Sequence, residues 1–220
     1  MSQLLSFYEA EPINLKGEVE LAQRPMRESD LYECTEGIIQ ARSVYVVAPG
    51  PAPKALLVPF GAYDDWSLRD RYNEALRIMG DLGAREIECV TFRSVSKSSR
   101  FRFGIKGAGA EVSLQKVENS GFDFHHVGRG AEPRDPAPLK WPNEPGFEAA
   151  RRSVMYNGAS SVTINISSST EFTADSSLAK RLKKLGFDLG LSHQRDTVNT
   201  LHITAHFPVL TPPPKKGIWS

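Results

Sequence analysis

The sequence predicts an α+β protein with a mixed, largely antiparallel sheet and two or three helices packed mainly on one side of it. Segments of alternating apolar and polar residues, typical of strands, outnumber those with helical periodicity. Helical segments do not separate every pair of strands, as a parallel βαβ series requires. Segments 72–94 and 147–169 also share one helix-to-strand pattern, which raises the hypothesis of an internal repeat.

The shared pattern contains an aromatic residue, an alanine, an arginine and a Gly-Ala pair before a strand-like run. Ala75 and Ala150 occupy equivalent positions, as do Gly83 and Gly158. Glycine is favoured at the end of a helix because it accepts a left-handed backbone. The pattern therefore identifies packing and turn residues and no reacting group.

The first third of the chain mixes strand and turn signals. Residues 14–21 alternate between apolar and polar and predict a strand that is irregular at Gly17. The apolar runs 44–48 and 55–60 are separated by the proline-rich segment 49–53. Because proline lacks an amide donor and fixes φ, we expect a loop there and a hairpin-like pair of strands around it.

The first helix is predicted over residues 66–80, where apolar side chains recur at intervals of three and four. Asp64 or Asp65 can cap its start, and Gly83 ends it. A strand follows.

Further strands are predicted at 99–104 and 112–117, before the proline-rich segment 131–146. After that segment, a helix over 147–156 and a strand over 161–167 form the second unit.

A third helix is predicted next, capped by Thr173 or Asp175 and stopped at Gly186. Residues 200–207 alternate cleanly and predict the last strand. Proline-rich residues 211–220 predict an extended tail.

We expect residues 1–210 to form one α+β domain, with a subdivision at 131–146 as the alternative. Cys34 and Cys89 are too few for a disulfide framework, and the alternation around Cys89 predicts a small buried side chain. The amino terminus does not read as a secretory signal, and no apolar run is long enough for a membrane span. A soluble, cytoplasmic protein is expected.

The formal net charge of +1 argues against nucleic acid as the main partner, because counterion release requires a concentrated basic surface. Charge is locally uneven, since residues 85–116 hold seven basic and three acidic residues. Such a stripe is usually a solvated face, but Arg100, Arg102 and Lys106 are candidates to bind a phosphorylated ligand.

All five histidines, His125, His126, His193, His202 and His206, lie in the second half of the chain. His202 and His206 are four residues apart on a predicted strand, which separates them by about 13 Å. A metal ligand bond is about 2 Å long, so the two rings cannot hold one ion together. We predict no metal site and no cofactor.

His202 and Thr204 are two residues apart on that strand, so both side chains are expected to point the same way and could contact one phosphate. The segment 201–207 resembles one strand of the 2H phosphoesterases. The resemblance implies a His-x-Thr or His-x-Ser strand providing an acid, a base and a phosphate-orienting hydroxyl. The matching second motif is missing, because neither His125 nor His193 has Thr or Ser two residues later.

We therefore expect a non-enzymatic interaction or ligand-binding module, able to form part of a larger assembly. Its contact surface would be the basic stripe and segment 131–146, and its partner a protein or a small phosphorylated ligand. One alternative is a 2H-like phosphoesterase or nucleotide-handling enzyme with His202 and Thr204 as catalytic residues. Another is a small-anion or nucleotide sensor. Trp141 has two interpretations, a partner-facing aromatic and a core residue.

Overall fold

The computed structural model describes residues 3–15, 17, 19–49, 53–96, 112–117, 121–168, 176–190 and 199–208, with the backbone alone at 93–96, 112–117 and 199. Within these residues the chain forms strands and helices that confirm the predicted α+β class. The strands are β1 Leu4–Tyr8, β2 Ala22–Pro25, β3 Tyr32–Cys34, β4 Val44–Val47, β5 Ala55–Pro59, β6 Glu86–Ser96, β7 Val112–Val117, β8 Phe124–Val127, β9 Ser161–Ser167 and β10 Asn199–His206. The helices are α1 Tyr63–Asp81, α2 Pro145–Met155 and α3 Ser177–Lys184, with short 3₁₀ helices at Met26–Leu31 and Phe60–Ala62.

The strands divide into two five-stranded sheets, a division that the sequence did not predict. Sheet 1 has the order β2-β1-β4-β5-β3 and is mixed, because the β1–β2 and β3–β5 pairs are parallel. Sheet 2 has the order β7-β6-β10-β9, and β8 pairs with the first part of β6. All pairs in sheet 2 are antiparallel.

Helices α1 and α2 cover one face of sheet 2. Ala75 of α1 and Phe147 of α2 are fully buried in one core cluster with Ile164 of β9 and Ile203 of β10. Helix α3 contributes to a second cluster with residues of sheet 1. Because α1 and α2 pack on the same face, these helices do not cover the opposite face of sheet 2, which carries mostly polar side chains.

The two similar segments have the same local structure. Each is a helix, a glycine turn and a strand of sheet 2, with φ of +80° at Gly83 and +63° at Gly158. In both turns the amide after the glycine donates to a carbonyl of the preceding helix: Ala84 to Met79 and Ala159 to Ser153, each at 3.0 Å. β6 and β9 both pair antiparallel with β10, so they run parallel to each other.

The predicted hairpin is confirmed by the antiparallel pairing of β4 with β5. The predicted strand over 14–21 is wrong. Among its described residues, Gly17 has a φ of +74° and lies in a turn, and the strand begins only at Ala22. A left-handed backbone interrupts the pleat, so alternation alone overestimated the strand.

Ser176 caps α3, since its hydroxyl accepts a hydrogen bond from the amide of Ala179 at 3.1 Å. The predicted caps Thr173 and Asp175 lie outside the described residues, as do the predicted strand 99–104 and the tail 211–220.

The predicted proline-rich segment 131–146 is a loop up to Glu144, the N-cap of α2, and polar contacts hold this loop against α1. Glu74, only 6% exposed, accepts two hydrogen bonds from the guanidinium of Arg77 and one from the backbone amide of Lys140, each at 2.8 Å. The Arg77 guanidinium also donates to the carbonyl of Pro136 at 3.0 Å. A buried carboxylate thus joins the loop to the helix.

Trp141 of this loop packs, partly buried, against both core clusters. Its indole Nε1 donates to the carboxylate of Asp70 at 2.7 Å, and its ring lies 6.2 Å from that of Trp66. Trp141 is therefore a core residue, and the interpretation of it as a partner-facing aromatic is wrong.

Candidate functional site

The candidate site lies on the face of sheet 2 that is turned away from α1 and α2, here called the open face. Along β10, Leu201, Ile203 and Ala205 are fully buried, while the residues between them are partly exposed. The same alternation in β6 and β9 brings polar side chains together in rows across the strands. Across its three central strands the open face consists of Ser161, Thr163, Asn165 and Ser167 of β9, Thr200, His202, Thr204 and His206 of β10, and Glu86, Glu88, Val90 and Phe92 of β6. Next to Glu88 and Glu86, β8 adds His125 and Val127.

His202 lies at the centre of this face. In register it is flanked by Asn165 of β9 and Val90 of β6. Its ring centroid is 4.4 Å from that of Phe92, with 47° between the two planes. The two rings are tilted against each other and partly exposed, and they form an aromatic pair in an otherwise polar face.

Two hydroxyl pairs bridge β9 and β10. Thr204 Oγ1 is 3.0 Å from Thr163 Oγ1, and Thr200 Oγ1 is 3.2 Å from Ser167 Oγ. In each pair one hydroxyl donates to the other, so the accepting one keeps its own proton for another acceptor. The Thr200–Ser167 pair occupies the row of Phe92, next to the row of His202.

The other end of the open face is acidic. Glu88 is the register partner of Thr204 on β10 and of His125 on β8. Glu86 is the register partner of His206 on β10. His125 Nε2 lies 3.6 Å from Glu86 Oε1. An anion would therefore meet carboxylates near His206 and hydroxyl groups near Thr200.

The predicted ligand-binding residues Arg100, Arg102 and Lys106 lie outside the described residues. They belong to the connection between β6 and β7, which leaves β6 after Ser96. Phe92 is four residues before that point, so the connection starts from the hydroxyl-bearing end of the open face.

The predicted catalytic residues, His202 and Thr204, do share one face, as the phosphoesterase resemblance requires. Opposite His202, the neighbouring strands carry Asn165 and Val90 instead of a second histidine. His125 lies on β8, two strands away from β10, or about 10 Å at the usual strand spacing. No second histidine is brought beside His202 among the described residues, and His193 lies outside them. The catalytic assignment stays a prediction.

In the part of the chain that the structure describes, no group of three or more His, Cys, Asp or Glu side chains could hold a metal ion. No helix in this part has both the length and the apolar character needed to cross a membrane.

A cleft of about 570 Å³ separates Pro49 from the loop residues Pro138, Leu139 and Pro142. Its charged lining residues, including Glu74, already bind the proline-rich loop. We therefore regard this cleft as structural.

Sequence reasoning found His202 and Thr204 but missed Phe92, Asn165 and Thr163. Their pairing depends on strand register between segments far apart in the chain. The sequence shows the alternation within each strand, but it does not show which residues of other strands lie beside His202 and Thr204. Comparison of the chain with protein families, with curated proteins and with solved structures finds no significant match.

Proposed function

We propose that this chain is a non-enzymatic ligand-binding module that holds a small phosphorylated molecule with a flat ring, such as a nucleotide, on the open face. The contact between the rings of Phe92 and His202, 4.4 Å apart, carries the proposal. Stacking of a nucleic-acid base on an aromatic side chain is worth about 1–3 kcal/mol for any base, and Phe92 and His202 are both partly exposed to such a ring.

The groups next to these rings suit a phosphate. Thr200 and Ser167 lie in the row of Phe92 and present hydroxyl groups, and the Asn165 amide lies opposite His202. Hydroxyl and amide groups donate hydrogen bonds to phosphate oxygens. In this proposal Arg100, Arg102 and Lys106 add charge-assisted contacts from the β6–β7 connection.

Charge sets the orientation of the proposed ligand. Glu86 and Glu88 occupy the far end of the open face, so a phosphate there would be repelled. The phosphate therefore lies toward Thr200, and the ring lies over His202.

A small ligand fits this face better than a protein partner does. The buried centre of a protein interface is rich in apolar and aromatic groups. Apart from Val90, Phe92 and, at the acidic end, Val127, the side chains of the open face are hydroxyl, amide, imidazole or carboxylate groups.

The test is titration of the protein with nucleoside mono-, di- and triphosphates and with cyclic nucleotides, followed by calorimetry and amide chemical shifts. His202→Ala and Phe92→Leu should each weaken binding about tenfold, which corresponds to about 1.4 kcal/mol. His206→Ala is the matched control, because it removes the same ring from the same face of β10 but four residues away. It should change affinity less than about twofold.

The proposal fails if no member of the panel binds up to millimolar concentration, or if His206→Ala weakens binding as much as His202→Ala. Hydrolysis of a cyclic nucleotide that is abolished by His202→Ala and by Thr204→Ala would instead favour the phosphoesterase alternative.

A further inference from the structure

Strand β9 forms an edge of sheet 2. It pairs with β10 on one side, and no described strand pairs with it on the other. At seven residues it is the longest edge strand of the two sheets among the described residues. An edge of this kind presents unpaired backbone groups to any extended chain that approaches it.

The hydrogen-bond pattern shows which backbone groups face outward. The amide of Phe207 donates to the carbonyl of Ser160 at 2.8 Å, so this pair faces inward between the strands. In an antiparallel ladder the inward-facing pairs alternate with outward-facing ones. The residues with outward N–H and C=O groups are Ser161, Thr163, Asn165 and Ser167. The carbonyl of Ser167 accepts a hydrogen bond from Arg71 at 3.0 Å from outside the ladder, consistent with this assignment.

The residues of β9 itself provide none of the usual protection against association, although Arg71 covers the carbonyl of Ser167 at one end. Natural edge strands carry lysine, proline or a bulge that blocks further pairing. The sequence of β9 is Ser-Val-Thr-Ile-Asn-Ile-Ser, with no charge and no proline. Its register with β10 is uninterrupted over all seven residues. Nothing in the strand itself opposes the addition of another strand.

The sequence of β9 is also nearly symmetric about Ile164. In an antiparallel pair of two β9 strands centred on this residue, Ser161 faces Ser167 of the other copy, and Thr163 faces Asn165. These are uncharged groups that can hydrogen-bond to each other across the strands. At Thr163 and Asn165 both backbone groups point outward, so the same register aligns these N–H and C=O groups for pairing. At Ser167 the amide is available for pairing, whereas the carbonyl already accepts from Arg71 at 3.0 Å, so the central pairs carry the contact.

We propose that β9 binds β9 of a second copy of this chain, antiparallel and around a two-fold axis at Ile164, so that the two copies of sheet 2 become one continuous sheet. A two-fold interface places the same patch on both subunits and must be self-complementary. The near-symmetry of β9 meets this requirement. This proposal does not depend on the proposed ligand.

Sedimentation velocity over a wide concentration range should show a reversible monomer–dimer equilibrium for the unmodified protein. The double variant Thr163→Lys with Asn165→Lys places lysine opposite lysine in both central pairs. It should weaken dimerisation about tenfold or more. The matched variant Thr163→Lys with Asn165→Glu places lysine opposite glutamate, and should retain the dimer.

The two variants also test the register. If residue 163 of one copy faced residue 163 of the other, both double variants would bring like charges together, and both would dissociate. That result would overturn the proposed axis. A dimer that survives the double lysine variant would place the interface elsewhere.

Hydrogen exchange on the unmodified protein gives a result even if a variant does not fold. The amides of Thr163 and Asn165 should become more protected as protein concentration rises, because they enter the new ladder. A monomer at every concentration, with rapid exchange at both amides, overturns the proposal and leaves the edge open to a strand of a different protein.

Discussion

Gly83, at the end of α1, and Ala131, at the start of the proline-rich loop, touch through their backbones. The amide of Ala131 donates to the carbonyl of Gly83 at 3.1 Å. A β-carbon built on Gly83 would overlap the carbonyl oxygen of Ala131. Gly83 also has a φ of +80°. Two independent requirements, a left-handed backbone and close approach of a second chain segment, thus demand glycine here.

The substitution Gly83→Ala should lower the free energy of unfolding by about 3 kcal/mol, the sum of left-handed strain and overpacking. Gly158 is the matched control, since it ends α2 in the same kind of turn with a φ of +63°. Nothing lies within 4 Å of a β-carbon built on it. Gly158→Ala should cost only about 1 kcal/mol.

Urea denaturation of the two variants measures this difference. Equal losses of stability at the two glycines would mean that the contact with Ala131 contributes nothing.

Local patterns predicted much of the fold. The glycine turns, the positions of α1 and α2 and the strand β10 followed from the spacing of apolar residues and from glycine chemistry. The start of α1 did not: the helix begins at Tyr63 with Ala62 as its N-cap, so the predicted caps Asp64 and Asp65 lie in its first turn instead. The division into two sheets did not, because periodicity shows that a segment is a strand and does not show which strand lies beside it. The predicted strand over residues 14–21 was wrong for a related reason, since Gly17 adopts a turn that the alternation of apolar and polar residues cannot reveal.

The candidate site was predicted less well than the fold. His202 was found because a His-x-Thr tripeptide is visible in the sequence. Phe92 carried no such signal, since it occupies one of several outward positions in a strand about 110 residues earlier. What joins the two rings is the register of β6 with β10, a long-range property.

Glu74→Gln tests the buried link between α1 and the proline-rich loop. Burial favours the neutral acid, but hydrogen bonds from Arg77 and Lys140 outweigh it and lower the pKa of Glu74. The substitution removes the charge and leaves donors poorly satisfied, so the free energy of unfolding should fall by about 2 kcal/mol. Asp81→Asn is the control, because Asp81 binds the same Arg77 at the surface. It should cost less than about 0.5 kcal/mol.

Chemical denaturation measures both variants. If the two losses of stability are similar, the buried position of Glu74 has no special role.

Arg151→Ala should change the titration of Asp135. The Arg151 guanidinium donates to both carboxylate oxygens of Asp135, at 2.7 and 2.8 Å, and lowers its pKa to about 2. The ordinary value, about 4, applies to the unfolded chain, so this contribution to stability is present above pH about 4 and is lost as the pH falls toward 2. Without Arg151, the pKa of Asp135 should rise toward its ordinary value of about 4, and the hydrogen bond that remains from the amide of Ala137 should keep it below that value.

Carboxyl ¹³C chemical shifts followed through an acid titration report the pKa of Asp135 directly. The control is Arg152→Ala, which removes an adjacent guanidinium that contacts Glu148 instead. An unchanged pKa for Asp135 in the Arg151 variant would rule out this ion pair in solution.

The two cysteines should differ in reactivity. Cys89 is 4% exposed in the core, and burial raises the pKa of its thiol to about 12, so it stays protonated at neutral pH. Only the thiolate attacks alkylating reagents, and Cys34 is half-buried on β3 within reach of solvent. Native protein treated with iodoacetamide at pH 8 should therefore gain one adduct by intact mass spectrometry, and denatured protein should gain two. Cys34→Ser should abolish the native adduct, whereas rapid labelling of Cys89 in that variant would show that the core opens readily around β6.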